Sequence, residues 1–115
     1  MIKFDIITIF PKTIEEYINT GIVRIARGKG LVEINVHDLR KWTTDKHKTV
    51  DDTPYGGGPG MIMKIEPIYN AIKELKKENT LVAITTPKGE QLKQKKLVEF
   101  SKEKDLHMII LCGRY

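Results

Sequence analysis

Four short runs of β-branched and aromatic residues, separated by segments with helical periodicity, constrain the fold of this sequence more than any other feature. The runs occupy residues 4–10, 31–36, 81–86 and 107–112. The second run alternates apolar and polar residues, which is typical of a strand with one buried face. Strands that alternate with helices in this way predict an α/β fold with a mainly parallel sheet and helices on both faces.

The segments between the runs predict four helices and one long connection. Two short helices are expected over residues 13–18 and 22–27, an amphipathic helix over 66–78, and a last helix from about 92 to 104. Residues 38–61 show no sustained periodicity. Because long ordered loops in compact domains are usually functional, this connection is a candidate binding segment.

Length and charge limit the protein class. The 115 residues, 40% of them hydrophobic and 30% charged, fit one domain that folds around a modest core. The net charge of +5 favours a polyanionic partner without naming it. Much of the excess positive charge comes from lysines on the expected helix surfaces. Lysines in this arrangement are more typical of solvated helix faces than of a binding stripe.

The cysteine count and the amino terminus indicate the compartment. A single cysteine, Cys112, excludes an intrachain disulfide, and no Cys/His cluster has the spacing of a zinc site, so no metal site is predicted. The first residues are too charged for a signal peptide, and no apolar stretch is long enough to cross a membrane. We expect a cytoplasmic protein.

Residues 51–61, Asp-Asp-Thr-Pro-Tyr-Gly-Gly-Gly-Pro-Gly-Met, form the strongest functional signal. Glycines permit unusual backbone angles and close approach of a ligand, whereas prolines restrict the backbone. Acidic and aromatic residues at the entrance add hydrogen-bonding and stacking groups, which a flexible linker lacks. The run therefore predicts a shaped binding loop; the alternative is a tight crossover loop without a ligand.

Two further segments follow strands, where ligands collect in open α/β sheets. They are residues 85–89, Thr-Thr-Pro-Lys-Gly, and residues 113–115, Gly-Arg-Tyr. The basic, hydroxyl and aromatic side chains of residues 42–48 suit contacts with RNA phosphates and bases, although a solvated polar loop has the same composition. Known phosphate-loop and nucleophile-elbow patterns are absent, which argues against nucleotide triphosphate binding and acyl or phosphoryl transfer.

The sequence resembles the bacterial tRNA (guanine-N1)-methyltransferases. The resemblance is carried by residues 4–11, 44–52, 54–61 and 111–115, in the same order and spacing, and it extends over residues 1–115. It implies a knotted SPOUT methyltransferase fold, a homodimer, S-adenosylmethionine as methyl donor, and tRNA guanine beside the anticodon as substrate. Because the chain stops at Tyr115, the resemblance implies an amino-terminal portion with an incomplete knot and without the helical tRNA-binding domain.

The resemblance also assigns roles to individual residues. The cofactor-binding residues that it implies are Thr86, Pro87, Gly89, Gly113, Arg114 and Tyr115. The residues that it places toward the flipped guanine and the anticodon stem are Asp45, His47, Asp52, Tyr55, Gly56, Gly57, Gly58, Pro59 and Gly60. The family's catalytic aspartate and its assisting arginine belong to the carboxyl-terminal half, so no catalytic base is expected in this chain. The alternative function is a non-catalytic RNA-binding or dimerisation module.

Overall fold

A computed structural model describes residues 1–52, 62–86 and 88–113 of the chain, with only the backbone of Asp52 and Ile62. The α-helices are α1 (Pro11–Ile18), α2 (Gly21–Gly28), α3 (Ile65–Leu75) and α4 (Gln94–Ser101). The strands are β1 (Ile2–Thr8), β2 (Val32–Asp38), β3 (Asp51–Asp52), β4 (Ile62–Met63), β5 (Thr80–Thr85) and β6 (His107–Cys112). A short 3₁₀ helix covers Leu39–Trp42.

Four strands form one parallel sheet in the order β2-β1-β6-β5. Asp5 lies beside Asn35 of β2 and beside Ile109 of β6, while Thr85 lies beside Cys112. Because all four strands are parallel, their carboxyl ends lie at the same edge. The predicted α/β fold with a parallel sheet is confirmed.

The connection after β2 has more structure than its sequence indicates. Asp38 caps the 3₁₀ helix, since its Oδ1 accepts the Arg40 N–H at 3.0 Å. Further on, β3 and β4 pair antiparallel on either side of residues 53–61. Such short elements have no periodicity to detect, which is why the sequence predicts only a loop here.

One face of the sheet forms the main core. Ile7 and Ile109 are fully buried there, with Leu111 nearly so, and they pack with Leu39 and Trp42 of the 3₁₀ helix. Ala71 and neighbouring apolar residues of α3 complete this cluster, because the apolar side of α3 faces the sheet.

The opposite face carries α4 and is less tightly covered. A groove of about 820 Å³ lies between this helix and the sheet. Phe4 and Ile110 line it from the sheet, and Leu97 and Phe100 line it from α4. Within the described part of the chain, every helix is too short or too polar to span a bilayer.

Candidate functional site

The turns that follow β5 and β6 lie side by side at the carboxyl edge of the sheet. The Gly113 N–H donates to Thr85 Oγ1 at 2.9 Å, although the two residues are 28 positions apart. A Cβ atom at residue 113 would lie only 2.8 Å from the Thr85 carbonyl oxygen. Only glycine therefore allows this close approach, and the two predicted cofactor segments meet at this point.

Thr86 shapes the first of these turns. Its Oγ1 accepts the Lys88 N–H at 3.2 Å, and its carbonyl oxygen accepts the Gly89 N–H at 3.5 Å. Gly89 is again close to its neighbour, since a Cβ atom there would lie 3.0 Å from Thr86 Cγ2. This tight turn leaves Thr86 and Gly89 exposed at the sheet edge.

The groove on the α4 face extends to this turn. Thr85, Thr86 and Gly89 form part of its wall, and most of the remaining wall is apolar. A cavity that is mainly apolar, with a few backbone and hydroxyl groups at one end, has the general character of a cofactor site. The residues present are therefore compatible with a ligand that has both apolar and hydrogen-bonding parts.

Residues 43–52, which lead toward the glycine run, contain a turn organised by Asp45. Both carboxylate oxygens of Asp45 accept the Thr49 N–H at 3.0 Å, and its carbonyl oxygen accepts the Lys48 N–H. Lys48 adopts a positive φ of 51°, which is uncommon outside glycine. Hydrogen bonds from the side chain and backbone of Thr49 lower the pKa of Asp45. His47 is exposed on this turn.

Replacing Asp45 by alanine should therefore loosen this turn. We expect faster hydrogen exchange at the Thr49 amide, measured by NMR, because the amide loses its acceptor. In the unchanged chain the Thr49 amide should lose protection in acid. Because folding lowers the pKa of Asp45, the hydrogen bond is present above the ordinary pKa of 3.8 and is lost as the pH falls through the pKa of Asp45 in the folded chain. Glu15→Ala, a change at an exposed carboxylate outside this segment, should leave the exchange unaltered. Unchanged exchange in Asp45→Ala would contradict this role.

The ends of the glycine run are fixed by the β3–β4 pair. Asp51 pairs with Met63 and Asp52 with Ile62, and the Lys64 N–H donates to the Val50 carbonyl oxygen at 2.7 Å. The residues that flank 53–61 are thus held together by the strand pair. Asp51 Oδ1 is buried without a hydrogen-bond partner among the described groups, so it is available to a donor on a ligand.

Several predicted site residues cannot be placed. Those outside the described residues are Tyr55, Gly56, Gly57, Gly58, Pro59, Gly60, Pro87, Arg114 and Tyr115. For Asp52 only the strand backbone is described. The structure brings together Thr86, Gly89 and Gly113, and it places Asp45 and His47 on a separate turn.

Sequence reasoning included Thr85 in the candidate segment 85–89 but gave it no role, whereas its hydroxyl joins the two turns. A hydroxyl residue at the end of a strand was the only available signal, and it is common in any sheet. Cys112, beside this junction, is half-buried, and burial raises the pKa of its thiol, which does not favour a thiolate nucleophile.

These features define a class: an α/β protein with a parallel sheet, a glycine-dependent junction of two turns at its carboxyl edge, and a loop closed by its own strand pair. A family model described as tRNA (Guanine-1)-methyltransferase TrmD matches residues 2–115. The chain belongs to this family.

Known proteins agree with that assignment. The chain is 50% identical over 115 residues to a tRNA (guanine-N(1)-)-methyltransferase of Dictyoglomus turgidum, covering 100% of this chain and 46% of the relative. A relative of the same name from Bacteroides fragilis is 48% identical, with 98% and 50% covered.

A solved structure shows the same fold. The crystal structure of tRNA (m1G37) methyltransferase from Aquifex aeolicus matches with a TM-score of 0.80 and 42% identity, over 98% of this chain and 51% of that one. The chain thus spans about half the length of the relatives that it matches.

Proposed function

We propose that this chain forms the amino-terminal portion of a methyltransferase that transfers a methyl group from S-adenosylmethionine to N1 of a guanine next to the anticodon of tRNA. The observation that carries the proposal is the hydrogen bond between Gly113 and Thr85, which joins the two turns assigned to the cofactor. Relatives at 50% and 48% identity are named for this guanine methylation. Their length, about twice that of this chain, supports a second half that completes the site. The cytoplasm, where tRNA is found, is the proposed location.

S-adenosylmethionine would supply an activated methyl group on a positively charged sulfur. In this chain the backbone at Thr86, Gly89 and Gly113 would hold the cofactor, since both glycines allow the turns to pack closely against Thr85 and Thr86. With the cofactor bound, the apolar wall of the groove would limit the access of water to the same region. Alignment of the guanine nitrogen with the sulfur accounts for much of the rate in such a transfer.

The turn at Asp45 and His47 and the glycine run would face the RNA. His47 and the neighbouring lysines are exposed and can meet phosphates. The strand pair that flanks residues 53–61 would anchor the glycine run beside an extruded base. The proton on guanine N1 must leave as the bond forms. We propose that its acceptor, with an assisting arginine, lies in the half of the enzyme that this chain does not contain.

We also propose that the complete enzyme is a homodimer. The side chains of Ile65 and Tyr69 lie one turn apart on α3 and are 80% and 61% exposed. Exposed apolar residues at this spacing suit a protein interface.

A comparison of binding and activity tests the proposed function. The purified 115-residue chain should bind S-adenosylmethionine weakly in a calorimetric titration and should not methylate tRNA, because half of the site and the proton acceptor are missing. The complete relative from Dictyoglomus turgidum serves as the positive control. Methylation by the highly purified chain would show that the proposed division of the site is wrong.

The same titration separates the proposal from a non-catalytic RNA-binding module, which the net charge of +5 also favours. Such a module would bind tRNA without any heat from S-adenosylmethionine, even when a carboxyl-terminal fragment of the relative is added. Restored cofactor binding on addition of that fragment would support the methyltransferase.

A further inference from the structure

A row of polar side chains crosses the sheet away from the candidate site. Thr80 Oγ1 and His107 Nδ1 are 2.6 Å apart, His107 Nε2 and Asp5 Oδ2 are 2.6 Å apart, and Asp5 Oδ1 and His37 Nε2 are 2.8 Å apart. Each of the four strands contributes one residue. Asp5 is only 3% exposed, so this carboxylate depends on the two histidines for its hydrogen bonds.

The hydrogen bonds at one end of the row occupy both ring nitrogens of His107. The Lys77 N–H donates to Thr80 Oγ1 at 2.8 Å, and the same hydroxyl forms a hydrogen bond with His107 Nδ1. His107 Nε2 carries its hydrogen toward Asp5. Both ring nitrogens of His107 are therefore in use within the row.

His37 is different because one of its nitrogens is not in use. Its Nε2 donates to Asp5, while no hydrogen-bond partner of Nδ1 occurs among the described residues. The His37 side chain is 18% exposed, against 10% for His107. A proton from solvent can therefore be added to His37 without breaking any bond of the row, and the imidazolium then faces the Asp5 carboxylate.

The His37 ring also contacts Trp42. The two ring centroids are 5.7 Å apart with a tilt of 58° between the planes. Trp42 is buried at the end of the 3₁₀ helix, just before the segment 43–52. Because a cation beside an indole ring interacts with its π electrons, a charge on His37 changes the surroundings of Trp42 directly.

The other charged groups near His37 are already engaged. Lys41 Nζ lies 5.3 Å from the centre of the Trp42 ring. The ion pairs on β1, β2, the 3₁₀ helix and α3 are Lys3–Glu33 at 3.5 Å, Arg40–Asp38 at 3.4 Å and Lys41–Glu74 at 4.0 Å. All of these side chains are at least one-third exposed, so their influence is screened more than that of buried Asp5.

We propose that His37 is a positioning residue that responds to pH: protonation on Nδ1 pairs it with Asp5 and changes the setting of Trp42 and of the segment 43–52. This response of His37 and Trp42 to pH does not depend on the proposed function. Its consequence for RNA, namely that affinity changes with pH, rests on the proposed contact of Asp45 and His47 with tRNA.

Fluorescence of the whole chain tests the device, because Trp42 is the only tryptophan. A protonated imidazole beside an indole quenches its emission. We expect one step in emission as the chain is acidified, with the lower emission on the acid side, because His37 contacts the Trp42 ring. His37→Gln, whose amide can still donate to Asp5, should keep the far-ultraviolet circular dichroism and lose the step.

His47→Gln and His107→Gln serve as matched controls and should keep the step. A flat titration of the unchanged chain would overturn the proposal, and so would a step that survives in His37→Gln or disappears in His47→Gln. Asp5→Asn, tested if His37→Gln fails to fold, should move the step to lower pH because the negative charge is removed.

Affinity for tRNA, measured at pH 5.5 and 8, tests the consequence. Affinity that differs between the two pH values in the unchanged chain but not in His37→Gln supports the link to the segment. Equal affinities in the presence of the fluorescence step would overturn that link, whereas absence of tRNA binding at both values would contradict the proposed function instead.

Discussion

Asp5→Ala should lower the free energy of unfolding by about 3 kcal/mol, because removing a buried acceptor leaves its hydrogen-bond donors unsatisfied, at a cost of about 1–3 kcal/mol each. The Asp5 carboxylate is 3% exposed and is the acceptor for both His37 and His107. In the alanine variant two ring N–H groups on neighbouring strands lose their acceptor in the interior. Urea unfolding followed by circular dichroism measures the change.

The matched control is Asp105→Ala. This carboxylate also forms an ion pair, with the terminal amine of Met1 at 3.3 Å, but its side chain is 94% exposed. Exposed pairs contribute little, so the control should change the free energy of unfolding by less than about 1 kcal/mol. Equal losses in the two variants would show that the buried row does not stabilise the fold.

The acid dependence of stability should follow the same residue. Burial raises the pKa of Asp5, but hydrogen bonds from His37 and His107 and the nearby positive charges outweigh burial and lower it overall. A carboxyl group whose pKa is lowered by folding stabilises the protein above its ordinary pKa of 3.8, and this contribution is lost as the pH falls through the folded value. The alanine variant should therefore lose less stability than the unchanged chain when acidified below pH 4.

Much of the fold could be predicted because the strands are dense in β-branched residues. The last strand, His107–Cys112, has the predicted limits, and α3 differs from its prediction by one residue at the start and three at the end. The pairs formed by Asp5 could not be predicted, because its two partners are 32 and 102 positions away. Which residues meet across a parallel sheet depends on strand order and register, and neither follows from one sequence.

The candidate site could be predicted in its parts but not in its assembly. The predicted site included Gly89 and Gly113 because they lie in the turns that follow two strands, where glycine allows close backbone approach. Contact between Gly113 and Thr85 requires β5 and β6 to be neighbours, which is a property of the folded sheet. The residues 53–61 and 114–115, on which much of the resemblance rests, lie outside the described residues, so their predicted roles stay predictions.

Gly113→Ala should separate the two turns at the carboxyl edge. Its Cβ atom would lie 2.8 Å from the Thr85 carbonyl oxygen, a distance at which the backbone must shift, and such overpacking costs about 2 kcal/mol. The hydrogen bond from Gly113 to Thr85 Oγ1 would lengthen at the same time. We expect a lower free energy of unfolding by urea titration and, in NMR spectra, loss of the shift changes that S-adenosylmethionine causes at residues 85–89.

Gly28→Ala is the control for introducing a methyl group. Gly28 is the last residue of α2, and a Cβ atom there would meet nothing within 4 Å. Since alanine favours a helix more than glycine does, this variant should be as stable as the unchanged chain or slightly more stable. Gly113→Ala could instead match Gly28→Ala in stability and in its response to S-adenosylmethionine. That result would show that the close approach of the two turns is not required and that the proposed cofactor site is wrong. A loss confined to Gly113→Ala would assign the effect to the junction itself, because both variants add the same methyl group and differ only in what that group meets.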